Sequence, residues 1–306
     1  MRAECLFIGN TTMDMLIGVR DRPASDTKVF AERVIKSCGG VAFVAASAFQ
    51  KLGGRAGLIT SVGWDCEETK FIRETIDKKG FDPCQIIEIA EKASSFSVIL
   101  VEKTGERCIV YTEGCMGSFS SGLLDKGLLR ETKCIHIGGI PDQRLPEIIR
   151  FCRENTEALI SVDSSYSSKE VVDEILPLID IFIPDEKAVR ERLSMEPEEA
   201  CRYFVDCGAS IGAVTLGERG SIACCDKGFF KAPAYEMGER IVDTTGAGDN
   251  FHGAFLYCLL RGWGMEKTLR FSNAFAALSC RDFGGISGEP SLEDTSVFVE
   301  GKLNEI

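Results

Sequence analysis

Histidine is almost missing from this chain of 306 residues: only His136 and His252 occur. Two are too few for most histidine-ligated metal centres. Paired cysteines are missing as well. Fourteen cysteines are scattered without one C-x-x-C, and only Cys224 and Cys225 are adjacent. That spacing speaks against a cysteine-built zinc site and a disulfide framework, and fits reduced thiols packed as small hydrophobes. Basic charge is short: 35 Lys and Arg face 47 Asp and Glu, a formal net charge of −12. A nucleic-acid binder needs a basic footprint, and so does a protein that docks on an acidic membrane, so neither partner is expected. The longest apolar run, Val41–Phe49, falls far short of the ~20 residues that span a bilayer. The opening MRAECLFIGN carries no leader-like stretch and reads as a short buried strand, so a cytoplasmic protein is expected.

Hydrophobic residues make up 44% of the chain, enough for a large core. Strand-like runs end in Gly, Asp or Pro at residues 5–9, 56–63, 134–139, 158–163, 179–184 and 212–217. Helical patterns lie between them. Val41–Leu52 is small and apolar, and Glu67–Gly80 places Phe71, Ile72, Thr75 and Ile76 at helical spacing. Repeated strand–helix alternation predicts a mainly parallel sheet with helices on both faces. Residues 13–35 and 93–115 break that rhythm. The second segment holds two β-rich runs around a Lys-Thr-Gly-Glu turn, a hairpin signal. Together the two segments form a small separate sheet or extra edge strands of the main one.

The chemical centre is VDTTGAGDNFHGAFLYCLLRG, residues 242–262. A glycine-rich turn opens a helix there. Such a turn offers unpaired N–H groups and the positive helix end to an anion. Gly246 and Gly248 allow close backbone approach, and Asp249 falls in the first helical turn. A carboxylate at that place is suited to accept the proton of a hydroxyl attacking a phosphoryl group held by the turn. A plain capping role is the competing reading for an isolated Gly-x-Gly-Asp.

The string DTTGAGDNFHGAF resembles the C-terminal signature of the ribokinase-like (PfkB) carbohydrate kinases almost residue for residue. Further landmarks follow along nearly the whole chain. GGVAFVAASAFQKLGGRAGLITSVGWD (39–65) is similar to the family's N-terminal signature, TLGERGS (215–221) to its nucleotide-binding strand and turn, and KTGERCIVY (103–111) to its lid hairpin. The resemblance implies a Rossmann-like three-layer α/β core, residues 1–12, 36–92 and 116–306, with a β lid from residues 13–35 and 93–115. It implies ATP and Mg²⁺ as cofactors, and a sugar-like small molecule as substrate. Asp249 would be the base, with Gly246, Ala247 and Gly248 as the anion hole. Asp14, Gly39 and Gly40 would bind the sugar, and Thr215, Gly217, Gly220, Gly248 and Asn273 the nucleotide. Asp243, Thr245, Ser279, Asp282, Gly284 and Gly288 align with a monovalent-cation (K⁺) loop, largely through carbonyls.

Three positions depart from the family pattern. Its Asn-x-x-Glu is here Asp185-Glu186-Lys187-Ala188, which leaves Asp185 or Glu186 to attract magnesium. A frequent sugar-site asparagine is here Val44, and the place of a sugar-binding glutamate is Gly139. Losing both polar ligands predicts a roomier site and a different substrate from ribose. Arg33 and Arg107 fall in the lid segments, as solvated charges or as ligands of an acidic sugar. His252 reads as a surface or packing residue. The expected activity is phosphoryl transfer from ATP to a hydroxymethyl group. A nucleoside kinase and a catalytically weak sensor on the same fold are the alternatives. A nicotinamide dehydrogenase is disfavoured, because no G-x-G-x-x-G follows the first strand. Exposed lid edges would suit a homodimer.

Overall fold

The computed structural model describes residues 3–237 and 241–303. The chain begins with β1 (Cys5–Gly9), β2 (Thr12–Val19), β3 (Ala31–Gly39) and helix α1 (Val41–Lys51). Next come β4 (Ala56–Val62), α2 (Glu67–Lys79), β5 (Cys84–Glu88), β6 (Phe96–Glu102) and β7 (Arg107–Thr112). The middle runs α3 (Lys126–Arg130), β8 (Cys134–Gly138), α4 (Leu145–Asn155), β9 (Leu159–Asp163), α5 (Lys169–Ile175) and β10 (Ile181–Phe182). After α6 (Glu186–Arg192) and α7 (Pro197–Asp206) follow β11 (Ile211–Thr215), β12 (Ser221–Cys225) and β13 (Gly228–Ala232). Helices α8 (Ala247–Leu260), α9 (Met265–Ser279) and α10 (Leu292–Leu303) close the chain.

Nine strands form one sheet in the order β13-β12-β11-β10-β9-β8-β1-β4-β5. All its pairings are parallel except β11–β12 and β12–β13. That antiparallel end, turned at Asp226-Lys227, lies outside the strand–helix alternation that the sequence displays. Strand β10 is a two-residue ladder where residues 179–184 had predicted a longer strand, since the chain bends at Pro184 into the α6 cap. The sheet buries both faces. One packs on α1, α8 and α9 through Phe7, Phe43, Phe49, Phe255 and Phe275. The other carries Leu6, Ile135, Ile137 and Phe182 against the α4–α7 side, where Phe204 of α7 meets Phe182. This three-layer arrangement is what the alternating pattern predicts.

The remaining strands form a separate four-stranded sheet in the order β3-β2-β6-β7. Its pairings are antiparallel except β2–β6. Its strands come from the two segments that interrupt the strand–helix alternation and run past 13–35, since β2 begins at Thr12 and β3 ends at Gly39; the sheet is separate from the main one and not an addition to its edge. Strand β3 runs on to Gly39, so this sheet feeds directly into α1. Among the described residues no helix is long and apolar enough to cross a membrane.

Helix α8 lies on α1 at close range. A β-carbon at Gly253 would sit 2.4 Å from the Ala45 carbonyl oxygen and 2.7 Å from Ala48 Cβ. Gly253→Ala therefore pushes the two helices apart. We expect a loss of about 1–3 kcal/mol, read as a lower urea midpoint with unchanged m.

Candidate active site

The parallel strands end together at one cleft of about 650 Å³. Asn10 follows β1, Gly139 follows β8, Asp163 ends β9, Asp185 follows β10 and Thr215 ends β11; all five line it. Ligand sites of open α/β sheets form at such carboxyl ends. The small sheet supplies a wall with Asp14, Ser97, Ile99, Arg107, Ile109 and Tyr111. The N-terminus of α8 supplies Thr245, Gly246, Gly248, Asp249 and His252.

Gly246 caps α8 at φ 75°, a left-handed conformation that suits glycine. Its β-carbon, if present, would lie 2.8 Å from Gly285 Cα. Space beside Gly248 is open. The N–H groups of Gly248 and Asp249 find no acceptor among the described residues. Ala247 starts the helix, and its N–H is 3.2 Å from the Thr244 carbonyl. The helix end thus presents free donors to the cleft.

Carboxylates crowd the same space. Asp249 accepts no hydrogen bond from a described residue. Burial first, then the Asp163 charge, pushes its carboxyl far above the ordinary range, and Arg107 opposes this. Asp163 is raised by burial and then by Asp185, against hydrogen bonds from Ser165. Asp14 is raised to about 6 by burial, against hydrogen bonds from Ser97 and Thr12; the latter is 2.7 Å. Arg107 is the one Lys or Arg among the described lining residues, and its Nη1 donates to Thr244 Oγ1 at 2.7 Å.

Asp14 lies in strand β2 rather than in a loop, and Gly39 abuts it: a β-carbon at Gly39 would be 1.8 Å from Asp14 Oδ2. Gly40 and Thr215 line the cleft; Gly217 and Gly220 lie just outside it, in the turn from β11 to β12. Asn273, on α9, donates from Nδ2 to the carbonyls of Ala232 and Pro233 at 3.1 Å each. Asp243 accepts from Thr245 N and Gly284 N at 2.8 Å each. Ser279 Oγ bonds back to Ala276, its carbonyl abuts Gly288, and Asp282 Oδ1 accepts from Phe283 N.

Several expectations need correcting. Glu186 is outside the cleft lining and held in ion pairs by Arg190 and Arg219, whereas Asp185 lines the cleft and caps α6 through Ala188 N at 2.8 Å. Val44 does not line the cleft: it lies below Gly246 and Gly285, on the buried side of α1. Arg33 is at 3.9 Å from Asp282 and over the Phe283 ring, away from the lining. Of the two readings of His252, packing holds and surface does not: it is buried. Its Nε2 lies 3.3 Å from Asp163 Oδ2, its ring is 5.1 Å from His136, and burial lowers it to about 4. Sequence reasoning missed Asn10, whose Oδ1 accepts the Val41 N–H at 2.8 Å, and Asp163. The signal for both was a polar residue at a strand's carboxyl end.

A helix N-terminus with open donors and carboxylates around the same cleft are the parts that phosphoryl transfer to a hydroxyl calls for. The chain belongs to the pfkB family of carbohydrate kinases, whose model matches residues 2–292. A sugar kinase of Archaeoglobus fulgidus, itself uncharacterized, is 27% identical over 80% of this chain and 98% of its own length. A nucleoside kinase of Methanothermobacter thermautotrophicus is 23% identical over 97% and 94%. The crystal structure of a putative ribokinase II of E. coli with ATP and Mg²⁺ superposes with a TM-score of 0.82, at 21% identity, over 98% of this chain and 99% of that one. The protein is therefore a phosphotransferase of the carbohydrate-kinase family.

A carboxyl that binds its proton more tightly when folded favours folding in acid and opposes it as pH rises through the raised value. Asp249→Asn removes that penalty. We expect its ligand-free unfolding temperature to exceed wild type most at about pH 9, and the gain to vanish below about pH 4. Differential scanning fluorimetry across pH measures it.

Proposed function

We propose that this chain transfers the terminal phosphoryl group of ATP to a hydroxymethyl group of a neutral sugar or sugar-like acceptor, with Asp249 as base. One observation carries the reading: Asp249 faces the cleft with no hydrogen-bond donor among the described residues engaged on its carboxyl, and its own N–H and that of Gly248 are the open donors of the α8 turn. The acceptor hydroxyl would be oriented by Asp14 and Asp249, and Asp249 would take its proton. The Gly246–Gly248 turn would receive the equatorial phosphoryl oxygens. Arg107, tied to Thr244, adds a positive charge beside them. The β3-β2-β6-β7 sheet would act as the lid.

Asp14, Glu113 and Asp142 line the acceptor end, so an acidic sugar is repelled there and a neutral polyol is favoured. Ile99, Ile109, Tyr111 and Ile140 offer apolar faces, which support a nucleoside as the second reading. For the nucleotide, Thr215, Gly217, Gly220 and Asn273 remain the assigned neighbours. Magnesium fits the chemistry of this cleft: Asp185 uses Oδ1 for its cap and keeps Oδ2 for a cation or its water, and Asp163 stands nearby in the acidic floor. Bound there, the ion would neutralise the nucleotide phosphates. The loop fixed by Asp243, with Thr245, Ser279, Asp282, Gly284 and Gly288, would offer carbonyls to K⁺.

Asp249→Asn should keep ATP binding and lose about 100-fold or more in kcat. Near wild-type turnover in that variant rejects the base. A panel of neutral sugars, sugar acids and nucleosides, read by ADP release, selects the acceptor; no turnover on any of them favours a sensor. Chelating Mg²⁺ should abolish turnover, and full activity in chelator would reject the phosphate chemistry.

A further inference from the structure

Two buried residues beneath the catalytic turn have no part in the scheme so far. Asn250 follows the base directly and is fully buried. Its Nδ2 donates to the Gly246 carbonyl at 2.9 Å and to the Gly285 carbonyl at 2.8 Å. Its backbone N–H donates to the same Gly246 carbonyl at 2.8 Å. Val44 fills the space on the other side. A β-carbon at Gly246 would lie 3.3 Å from Val44 Cγ1, and one at Gly285 would lie 3.4 Å from Val44 Cγ2.

We propose that Asn250 and Val44 are positioning residues that hold the phosphate-receiving turn against the Gly285 segment. The proposal rests on the kinase reading, with this turn as the phosphate cradle. The Gly246–Ala247 peptide joins the cap to the first residue of α8. Its plane is rigid, so fixing the carbonyl fixes the plane from which the helix departs. The next planes carry the open N–H groups of Gly248 and Asp249. Their direction decides how well they meet charge that develops only in the transition state. Gly246 has no side chain to anchor it, and its left-handed backbone has no neighbour in the helix to follow. Asn250 supplies the missing anchor by joining two carbonyls that would otherwise be free to move apart. Val44 fills the space between the turn and α1 and blocks collapse in that direction. An asparagine at position 44 was expected to touch substrate; the valine found there instead bears on the turn from below.

The test compares Asn250→Leu, which keeps bulk and removes the donors, with Val44→Ala, which loosens the wedge and leaves every hydrogen bond. ADP binding is measured with Mg²⁺, with and without aluminium fluoride, which imitates the transferring phosphoryl group. In both variants ADP alone should bind within about twofold of wild type. The extra affinity conferred by fluoride should fall, by about 10- to 100-fold for Asn250→Leu and less for Val44→Ala, with kcat falling in parallel and KM for the acceptor unchanged. Wild-type kcat and fluoride response in either folded variant overturn the role of that residue. A loss of ADP affinity as large as the loss of kcat also overturns it, because that marks general damage to the site. Asp249→Asn, carried alongside, separates the two levels: full turnover there defeats the base assignment, while its fluoride response still reports on the turn.

Discussion

An anion with several charges must enter a cleft whose charged side chains are acidic but for one arginine, and the rest of the structure follows from that conflict. Asp14, Asp163, Asp185 and Asp249 face the space, with Arg107 as the one lysine or arginine among the described lining residues. Side-chain charge cannot resolve it. Backbone can, because a helix N-terminus offers positive potential without an ionised group. Helix α8 is therefore the element around which the others are arranged. It is buried on α1 and α9, and it starts on a glycine that presses against Gly285. The parallel strands end at its feet, and the carboxylates reach the cleft from ordered elements: Asp163 ends β9, Asp185 caps α6, Asp14 lies in β2 and Asp249 in the first turn of α8.

Much of this was legible in the sequence for a plain reason. Parallel strands buried on both faces read as short apolar runs, and the helices between them show their own period. The glycine turn and Asp249 were legible because adjacent residues make the whole device. What failed to show depends on long-range packing. Val44 is apolar in a stretch of small apolar residues, and nothing local says whether it faces substrate or the underside of a turn. His252 sits one helical turn beyond Asp249, and only the approach of β9 makes it an interior neighbour of Asp163. Glu186 looked as good a magnesium ligand as Asp185. The helix that begins there turns the two apart, one to a cap and one to Arg190 and Arg219.

Scarcity acquires a meaning at the same place. The two histidines of the chain lie together, in ring contact, under the floor of the cleft. Burial keeps both neutral at ordinary pH. They add polar bulk below Asp163 without adding charge, as a floor already crowded with carboxylates requires. The cysteines follow the same rule: eight of the fourteen are buried as free thiols, and burial keeps those at Cys5, Cys38, Cys152, Cys201 and Cys258 protonated.

The tip of the small sheet touches the main body at Thr244. That hydroxyl donates to the Gly105 carbonyl at 3.0 Å and receives Arg107 at 2.7 Å, two residues before the turn that caps α8. Swinging the hairpin outward would break both bonds and withdraw the arginine in one stroke. One threonine hydroxyl thus ties the position of the hairpin to that of the turn opening α8.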